Sequence, residues 1–330
     1  MKRSAMRFLA CPACRHDLRL EPHRFEQTDV VEGRLRCTNC PREYPISRGI
    51  PRFVPSETYA ASFGREWNWF STLQLDSASG TRESERTLHA STGWGADEYV
   101  DRLVLDAGVG TGRFAEIAAG YGAEVVGVDL SAAVDAAYSN VGRLDNVHII
   151  QADIFTLPFR AGVFDLAYSI GVLHHTPDPE LAFSQVAEAV KPGGALGVYL
   201  YDRYNIGRHV SDAIRVVSTR LPFRVTLALS AMAIPYYYLC RLPALGKLFQ
   251  MLWPISMHAD WRWRWLDTFD WYSPAYQWKL TYPEVCRWFR THGFHEIDIF
   301  DGPIRMRGVK TPGAKAEFDE PLATVAAGGR

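Results

Sequence analysis

The chain has 330 residues, with 36 Lys and Arg against 37 Asp and Glu, so its net charge is −1. This length predicts about two domains, and the balanced charge argues against a chain that binds polyanions over its whole surface. A hydrophobic content of 47% excludes an acidic disordered chain. The charge is unevenly distributed along the chain, because residues 1–56 carry 11 basic against 6 acidic side chains and residues 201–270 carry 9 basic against 5 acidic side chains. The rest of the chain is therefore acidic.

Four of the six cysteines form two C-x2-C pairs near the amino terminus, Cys11 with Cys14 and Cys37 with Cys40. One such pair places two thiolates on a tetrahedral metal ion, and this spacing predicts structural zinc. Residues 8–54 resemble the small zinc ribbon that precedes some methyltransferases, and the related free-standing ribbon that activates others as a partner subunit. Such a ribbon binds nucleic acid, binds protein or packs on its neighbour, and its modest positive charge favours packing.

The sequence also predicts where the chain resides. The basic start of the chain is not followed by the apolar stretch of a secretory signal. The longest uncharged run, residues 225–240, contains Pro235 and is shorter than a membrane span. We therefore expect a cytoplasmic protein with reduced cysteines rather than disulfides.

A predicted buried strand, residues 102–106, leads into a turn with Gly108, Gly110 and Gly112. These glycines allow a tight turn and the close approach of a ligand. Asp106 precedes them, and its charge would repel a pyrophosphate but suits an ammonium group. A second predicted strand ends at Asp129, where an acid can hold ribose hydroxyls. A nicotinamide cofactor and a cationic nucleoside ligand are the competing interpretations of such a turn.

The D-x-G-x-G-x-G spacing resembles the class I S-adenosylmethionine (SAM) dependent methyltransferases. Later motifs follow in the order of that family, at residues 146–154, 164–175 and 191–198. The resemblance implies that the turn lies under the methionine part, that Asp129 holds the ribose, that Asp153 takes the adenine amino group and that Ile154 packs on the ring. The implied cofactor contacts are Asp106, Gly108, Gly110, Gly112, Asp129, Leu130, Asp153, Ile154, Ser169 and Ile170.

The implied fold class is α/β, with a doubly wound, Rossmann-like sheet of seven strands. An amino-terminal four-cysteine zinc ribbon and a helical lid insertion are added to it. The predicted divisions are a ribbon over 1–56, a SAM-binding core over 57–200, an aromatic-rich lid over 201–280, a helix and strands that complete the core over 281–311, and a loose tail over 312–330.

The lid segment combines long apolar stretches with six of the ten tryptophans. We interpret it as two or three helices above the ligand-binding edge of the sheet. An apolar, aromatic lid with several arginines fits an amphiphilic methyl acceptor, which would pair a hydrophobic body with an acid or a phosphate. A plain covering layer, an oligomer interface and a peripheral membrane surface are the alternatives.

His174 and His175 follow the fourth predicted core strand and are candidates for a general base, with loop packing as the alternative. Two aromatic segments, residues 61–70 before the SAM-binding core and residues 270–277 at the end of the lid, are candidates for the wall of the substrate pocket, and core packing is the alternative. Tyr272 is also a catalytic candidate. The candidate substrate-binding residues are Phe63, Trp67, Tyr272 and Tyr276.

These features predict a SAM-dependent methyltransferase that acts on a small or lipid-like metabolite at O, N or C, in secondary-metabolite or polysaccharide biosynthesis. Neither an N/D-P-P-Y motif nor a Pro-Cys pair is present in the core, which argues against a nucleobase acceptor and a nucleic-acid partner. The alternatives are an rRNA or tRNA base methyltransferase that uses the ribbon for RNA, and a non-catalytic SAM-binding partner protein.

Overall fold

The amino-terminal residues form a four-stranded antiparallel sheet in the computed structural model, which describes residues 1–54, 71–204 and 207–312. Its strands lie in chain order: β1 (Leu18–Glu26), β2 (Asp29–Cys37), β3 (Glu43–Ser47) and β4 (Ile50–Pro51). Strands β1 and β2 form a long hairpin that is paired from Leu18 opposite Cys37 out to Glu26 opposite Asp29.

The central sheet has seven strands in the order β10-β11-β9-β8-β5-β6-β7, which confirms the predicted fold class. Strands β5 to β9 are parallel, and β10 and β11 add an antiparallel edge. Its strands are β5 (Leu103–Ala107), β6 (Glu124–Asp129), β7 (Val147–Gln151), β8 (Phe164–Ile170), β9 (Val190–Leu200), β10 (Phe294–Phe300) and β11 (Ile304–Lys310).

Helices cover both faces of this sheet, as parallel strands require. Short apolar runs form the strands, and helices fill the crossovers between them. The helices outside the lid are α1 (Asp76–Ser79), α2 (Glu83–Thr92), α3 (Arg113–Gly120), α4 (Ala133–Asn140), α5 (Pro179–Ala189) and α11 (Tyr282–Thr291). A capping box begins α11, in which the Thr281 amide donates to the Glu284 carboxylate at 2.7 Å.

The lid segment contains five helices in the described residues, more than the two or three expected from the sequence. They are α6 (Gly207–Ser218), α7 (Phe223–Ser230), α8 (Ala233–Cys240), α9 (Gly246–Leu252) and α10 (Trp261–Tyr272). Pro222, Pro243 and Pro254 stand between successive helices. Proline lacks the amide hydrogen that a continuing helix needs, so a helix is not continued through any of these three positions. No helix in the described ranges is both long enough and apolar enough to cross a bilayer.

The ribbon and the central sheet share one hydrophobic core. Phe8 and Leu9 are fully buried, and the Phe8 ring packs edge-on against Phe159 with centroids 6.0 Å apart. The amide of Ala10 donates to the Pro158 carbonyl at 2.9 Å. The ribbon therefore stabilises the body through buried apolar surface as well as through hydrogen bonds.

A second contact ties the end of the ribbon to the outer edge of the sheet at β7. The Phe53 amide donates to the Gln151 carbonyl at 2.8 Å. The half-buried Arg52 guanidinium donates to the Gln151 side chain at 2.7 Å and to the Asp135 carboxylate at 2.7 Å. These contacts cover an edge strand that would otherwise present unpaired backbone groups.

Candidate active site

The central cavity lies where the strand order reverses. Strand β5 has β6 on one side and β8 on the other, so their crossovers diverge at its carboxyl end. Ligands of open α/β sheets bind at this switch point. A cavity of about 360 Å³ opens there between the sheet and the lid. The residues that line this cavity include Gly108, Gly110, Arg113, Asp129, Leu130, Ile154, Ile170, Val172, His175, Tyr199, Tyr201, Leu266, Asp267, Asp270 and Trp271.

The glycine-rich turn forms the floor of the cavity. Gly108 has φ +100°, and a Cβ atom there would lie 2.2 Å from the Val172 side chain. Only glycine fits this combination of a left-handed backbone and a close neighbour. The turn thus brings the amino end of α3 up to the cavity.

Asp129, at the end of β6, is held by the turn beside it. Its carboxylate accepts from the Gly110 amide at 3.1 Å, from the Ser131 amide at 2.9 Å and from the Ser131 hydroxyl at 2.7 Å. Burial raises the pKa of Asp129 above its usual range, while these hydrogen bonds oppose that change. A carboxylate fixed in this way can accept hydrogen bonds from vicinal hydroxyls.

Asp106 lies one layer deeper, at 1% exposure, and does not itself line the cavity. Its carboxylate accepts a hydrogen bond from the Tyr168 hydroxyl at 3.2 Å. Burial raises the pKa of Asp106 to about 7, with the Tyr168 bond opposing and the charge of Asp129 adding to the shift. A nearby cation would restore the ionised form of this group.

The lid contributes two carboxylates that the sequence analysis did not single out. Asp267 and Asp270 lie three residues apart on one face of α10, and both line the cavity. Asp267 accepts from the Ser256 hydroxyl at 3.0 Å, and burial raises its pKa to about 6. Burial and the neighbouring charge of Asp267 raise the pKa of Asp270 to about 7. The i, i+3 spacing of two acids within the predicted lid was the signal that could have identified them.

Arg113, the first residue of α3, adds a single positive charge to the same cavity. Burial lowers its pKa, and the charges of Asp267, Tyr199 and Asp270 oppose this effect. Its guanidinium lies 4.3 Å from the centroid of the Phe114 ring. An arginine in this position can hold a carboxylate of a bound ligand.

Hydrogen bonds hold both ends of α10 over the cavity. Asp260 caps its amino end by accepting from the Arg262 amide at 2.7 Å. The buried Arg264 guanidinium donates to the His258 carbonyl at 2.8 Å, and the His258 ring lies 3.0 Å from Glu83 of α2. Arg215 donates to the Pro274 carbonyl at 2.7 Å beyond the carboxyl end. The two lid carboxylates are therefore presented by a fixed helix.

The two histidines are buried after β8 and take different positions. His175 lines the cavity, and its Nδ1 atom donates to the Tyr276 carbonyl at 2.9 Å, which leaves Nε2 without a proton. Burial lowers the pKa of His175 to about 4, so the ring is neutral near pH 7. His174 does not line the cavity and stacks on Tyr201 with centroids 4.0 Å apart.

Of the other predicted site residues, some line the cavity and some do not. Those that line it are Gly108, Gly110, Asp129, Leu130, Ile154 and Ile170. Those placed outside its lining are Asp106, Gly112, Asp153, Ser169, Tyr272 and Tyr276. The Tyr272 hydroxyl donates to the Pro254 carbonyl at 2.6 Å inside the lid. Phe63 and Trp67 lie outside the described residues.

The four ribbon cysteines form one cluster. All four sulfur atoms lie within 4.8 Å of one another, with Cys11 to Cys40 at 3.8 Å and Cys14 to Cys37 at 3.4 Å. Tetrahedral zinc with bonds of ~2.3 Å separates its sulfurs by about 3.8 Å. The cysteines are not joined as disulfides. The donor set and its spacing fit a closed zinc site.

Comparison with known families agrees with this geometry. Residues 105–198 match the family described as "Methyltransferase domain", and residues 2–49 match "Trm112p-like protein". The chain carries a methyltransferase domain. The predicted resemblance, the SAM-binding fold and the zinc-binding cluster are thereby confirmed. The methyltransferase domain contains the glycine-rich turn and β5 to β8, and the Trm112p-like domain contains all four cysteines.

Curated relatives match over about a third of this chain or less. An O-methyltransferase of Penicillium expansum is 40% identical over 98 residues, which are 28% of this chain and 36% of the relative. A tRNA U34 carboxymethyltransferase of Psychromonas ingrahamii is 34% identical over 125 residues, which are 33% of this chain and 38% of the relative. The chain thus spans well under half of the length of these relatives.

Among solved structures, one chain of the complex between the Haloferax volcanii Trm112 methyltransferase activator and a putative methyltransferase is similar to this chain. The match covers 77% of this chain and 99% of the matched chain, with 14% identity and a TM-score of 0.46.

Proposed function

We propose that this chain transfers a methyl group from SAM to a small or lipid-like metabolite, at an O, N or C atom. The observation that carries the proposal is the cavity between the methyltransferase domain and the lid. Its upper wall is formed by Leu266 and Trp271 of α10, and Tyr199 and Tyr201 stand beside them. Apolar and aromatic walls with a few polar groups are typical of small-molecule sites.

The proposed cofactor roles are those that the resemblance to SAM-dependent methyltransferases implies, and six of the ten implied contact residues line the cavity. SAM, when bound, supplies an electrophilic methyl group on a sulfonium. Asp129 would accept the ribose hydroxyls, Leu130 and Ile154 would flank the base, and Asp153 would take its amino group. Asp106 would support the ammonium from below the turn, and Arg113 would pair with the carboxylate. Gly108, Gly110, Gly112, Ser169 and Ile170 would complete the site.

The acceptor side of the cavity supplies orientation and a place for a proton. The acceptor atom forms its bond to the methyl carbon as the bond from sulfur breaks, and an O–H or N–H acceptor also loses a proton. His175, whose Nε2 carries no proton in this tautomer, and the Asp267–Asp270 pair line the cavity and are the proposed acceptors of that proton. Holding the two reactants together supplies much of the acceleration. Since Tyr272 donates its proton within the lid, we propose that it has a packing role.

Transfer of radioactive methyl groups from SAM tests this function against its alternatives. The full chain would be incubated separately with the organic-soluble metabolites and with the RNA of its source organism. We expect label in the metabolite fraction. Label confined to RNA would support the base methyltransferase, and SAM binding without transfer to either fraction would support the non-catalytic partner protein. Secondary-metabolite or polysaccharide biosynthesis and a cytoplasmic location remain parts of the proposal.

The lid carboxylates predict a pH-dependent preference for SAM over S-adenosylhomocysteine. These two ligands differ by the positive sulfonium, so their affinity ratio reports charge near sulfur and cancels effects on the shared ammonium. The carboxyls of Asp267 and Asp270 are neutral below a pKa of about 6 and about 7 and negative above it. We expect the ratio of SAM to S-adenosylhomocysteine affinity to rise about tenfold, or ~1.4 kcal/mol, from mildly acidic to mildly basic pH.

Calorimetry at several pH values measures this ratio. The double variant Asp267→Asn, Asp270→Asn keeps the shape of both side chains and should flatten the rise. Asp301→Asn, at an exposed position outside the lid, is the matched control and should retain it. A ratio that does not change with pH in the wild-type chain would remove the lid carboxylates from the sulfonium end of the site.

A further inference from the structure

The lid exposes an unusual concentration of large apolar side chains. Of the twenty-two large hydrophobic residues that are exposed in the described part of the chain, fourteen lie between Val216 and Trp261. Tyr238 is 68% exposed, and Leu252 is 62% exposed. Scattered exposed apolar residues are ordinary, but a concentration of this kind indicates an interaction surface.

These side chains form stripes along two of the lid helices. On α9 and the residue before it, Leu245, Leu248, Met251 and Leu252 follow the spacing of one helical face. Val225, Leu229 and Met232 repeat the pattern along α7 and the turn after it. The opposite sides of both helices pack on the rest of the lid, because α7 contacts α10 and α9 contacts α6 and α8. Each helix is therefore amphipathic with its apolar stripe outward.

Charge decides which partner fits this surface. Residues 213–259 contain no Asp or Glu, although the chain as a whole is balanced. The exposed cations of this stretch are Arg220, Arg224, Arg241 and Lys247. Among the described residues, none of these four forms an ion pair with a carboxylate. A second copy of the chain would bring like charges together, whereas an anionic bilayer offers hydrocarbon to the stripes and negative headgroups to the cations.

We propose that α7 to α9 form a docking surface for an anionic lipid bilayer. The apolar stripes enter the boundary between headgroups and acyl chains, and the four cations contact the headgroups. Since no described helix is able to span a bilayer, the lid lies on the surface rather than crossing it. Helix α10, which carries Asp267 and Asp270, packs directly on α7 and α8, so the docked face adjoins the wall of the cavity.

Co-sedimentation of the full chain with lipid vesicles tests the proposal without requiring methyl transfer. The probes are vesicles of phosphatidylcholine alone and vesicles with about one third phosphatidylglycerol. We expect binding to the mixed vesicles, at least tenfold weaker binding to phosphatidylcholine alone, and loss of binding as salt is raised. Lys247→Glu should weaken binding to the anionic vesicles about fivefold or more, because a cation near such a surface is replaced by an anion.

A pair of matched variants separates docking from general hydrophobicity. Met251 and Ile299 are each 57% exposed, but only Met251 lies on a lid stripe. Met251→Glu should reduce vesicle binding at least tenfold, and Ile299→Glu should leave it unchanged. Both should retain the wild-type unfolding temperature and affinity for S-adenosylhomocysteine. Equal binding to both vesicle types, equal effects of the two variants, or self-association of the chain in place of vesicle binding would each overturn the proposal.

Discussion

Serine in place of Cys37 is expected to abolish stoichiometric zinc binding and to unfold the Trm112p-like ribbon. Zinc contributes roughly 10–16 kcal/mol of apparent binding free energy in small zinc-finger peptides. A whole domain is stable by only roughly 5–15 kcal/mol. The ribbon is not expected to compensate for the loss of its metal, because a segment of about 50 residues has only a small core of its own.

The loss of zinc in the Cys37→Ser variant should also destabilise the methyltransferase domain. Phe8 and Leu9 belong to the core shared with Phe159, so an unfolded ribbon exposes part of the sheet of the methyltransferase domain. We expect a lower unfolding temperature for the whole chain in differential scanning calorimetry, together with rapid proteolysis within residues 1–52. Chelation of the wild-type chain should reproduce both effects.

Cys240→Ser is the matched control, since Cys240 lies in the lid, outside the four-sulfur cluster. It should keep one equivalent of zinc by elemental analysis and the wild-type resistance to protease. Two results would contradict the structural role of the metal. One is purified wild-type protein that contains much less than one equivalent of zinc, and the other is a Cys37→Ser variant whose ribbon stays folded.

Asp129→Ala is expected to weaken the affinity for S-adenosylhomocysteine by roughly 10- to 100-fold. Hydrogen bonds to a charged group contribute about 1.5–3 kcal/mol, and each 1.4 kcal/mol corresponds to a factor of ten. The variant removes the proposed acceptor for the ribose hydroxyls. It also releases the Gly110 amide, which loses its 3.1 Å bond to the carboxylate.

Two further variants keep this result interpretable. Asp129→Asn retains an oxygen for the Gly110 and Ser131 amides and should lose less affinity than alanine. Asp145→Ala changes an exposed acid outside the cavity and should bind as the wild type does. Titration calorimetry measures the affinities, and unchanged thermal unfolding shows that the fold is intact. Wild-type affinity in Asp129→Ala would remove this residue from the ribose site.

The cofactor edge of the site could be predicted from the sequence because its determinants are local. The positive φ of Gly108 and the position of Asp129 at the end of a strand depend on a few neighbouring residues. The C-x2-C spacing likewise brings Cys11 near Cys14 within a single turn. Local geometry of this kind is encoded in short segments, so both the methyltransferase domain and the zinc cluster were identified.

The residues proposed for the methyl-acceptor side of the cavity could be identified only from the tertiary structure. Asp267 and Asp270 are separated from Asp129 by more than 130 residues in the chain. They reach the cavity only because α10 docks across the sheet through Arg264, His258 and Glu83. Tyr272, on the same helix, has its hydroxyl bonded within the lid instead. Helical periodicity shows which residues share a face but not what that face contacts.

The same distinction applies to the outer surfaces. The sequence by itself determined the composition of the ribbon and of the lid, including the absence of acids from residues 213–259. Only the tertiary structure decided that Phe8 joins the core of the sheet and that Met251 faces outward. Burial depends on which surfaces of distant segments fit together, and a linear pattern of apolar residues is compatible with both outcomes.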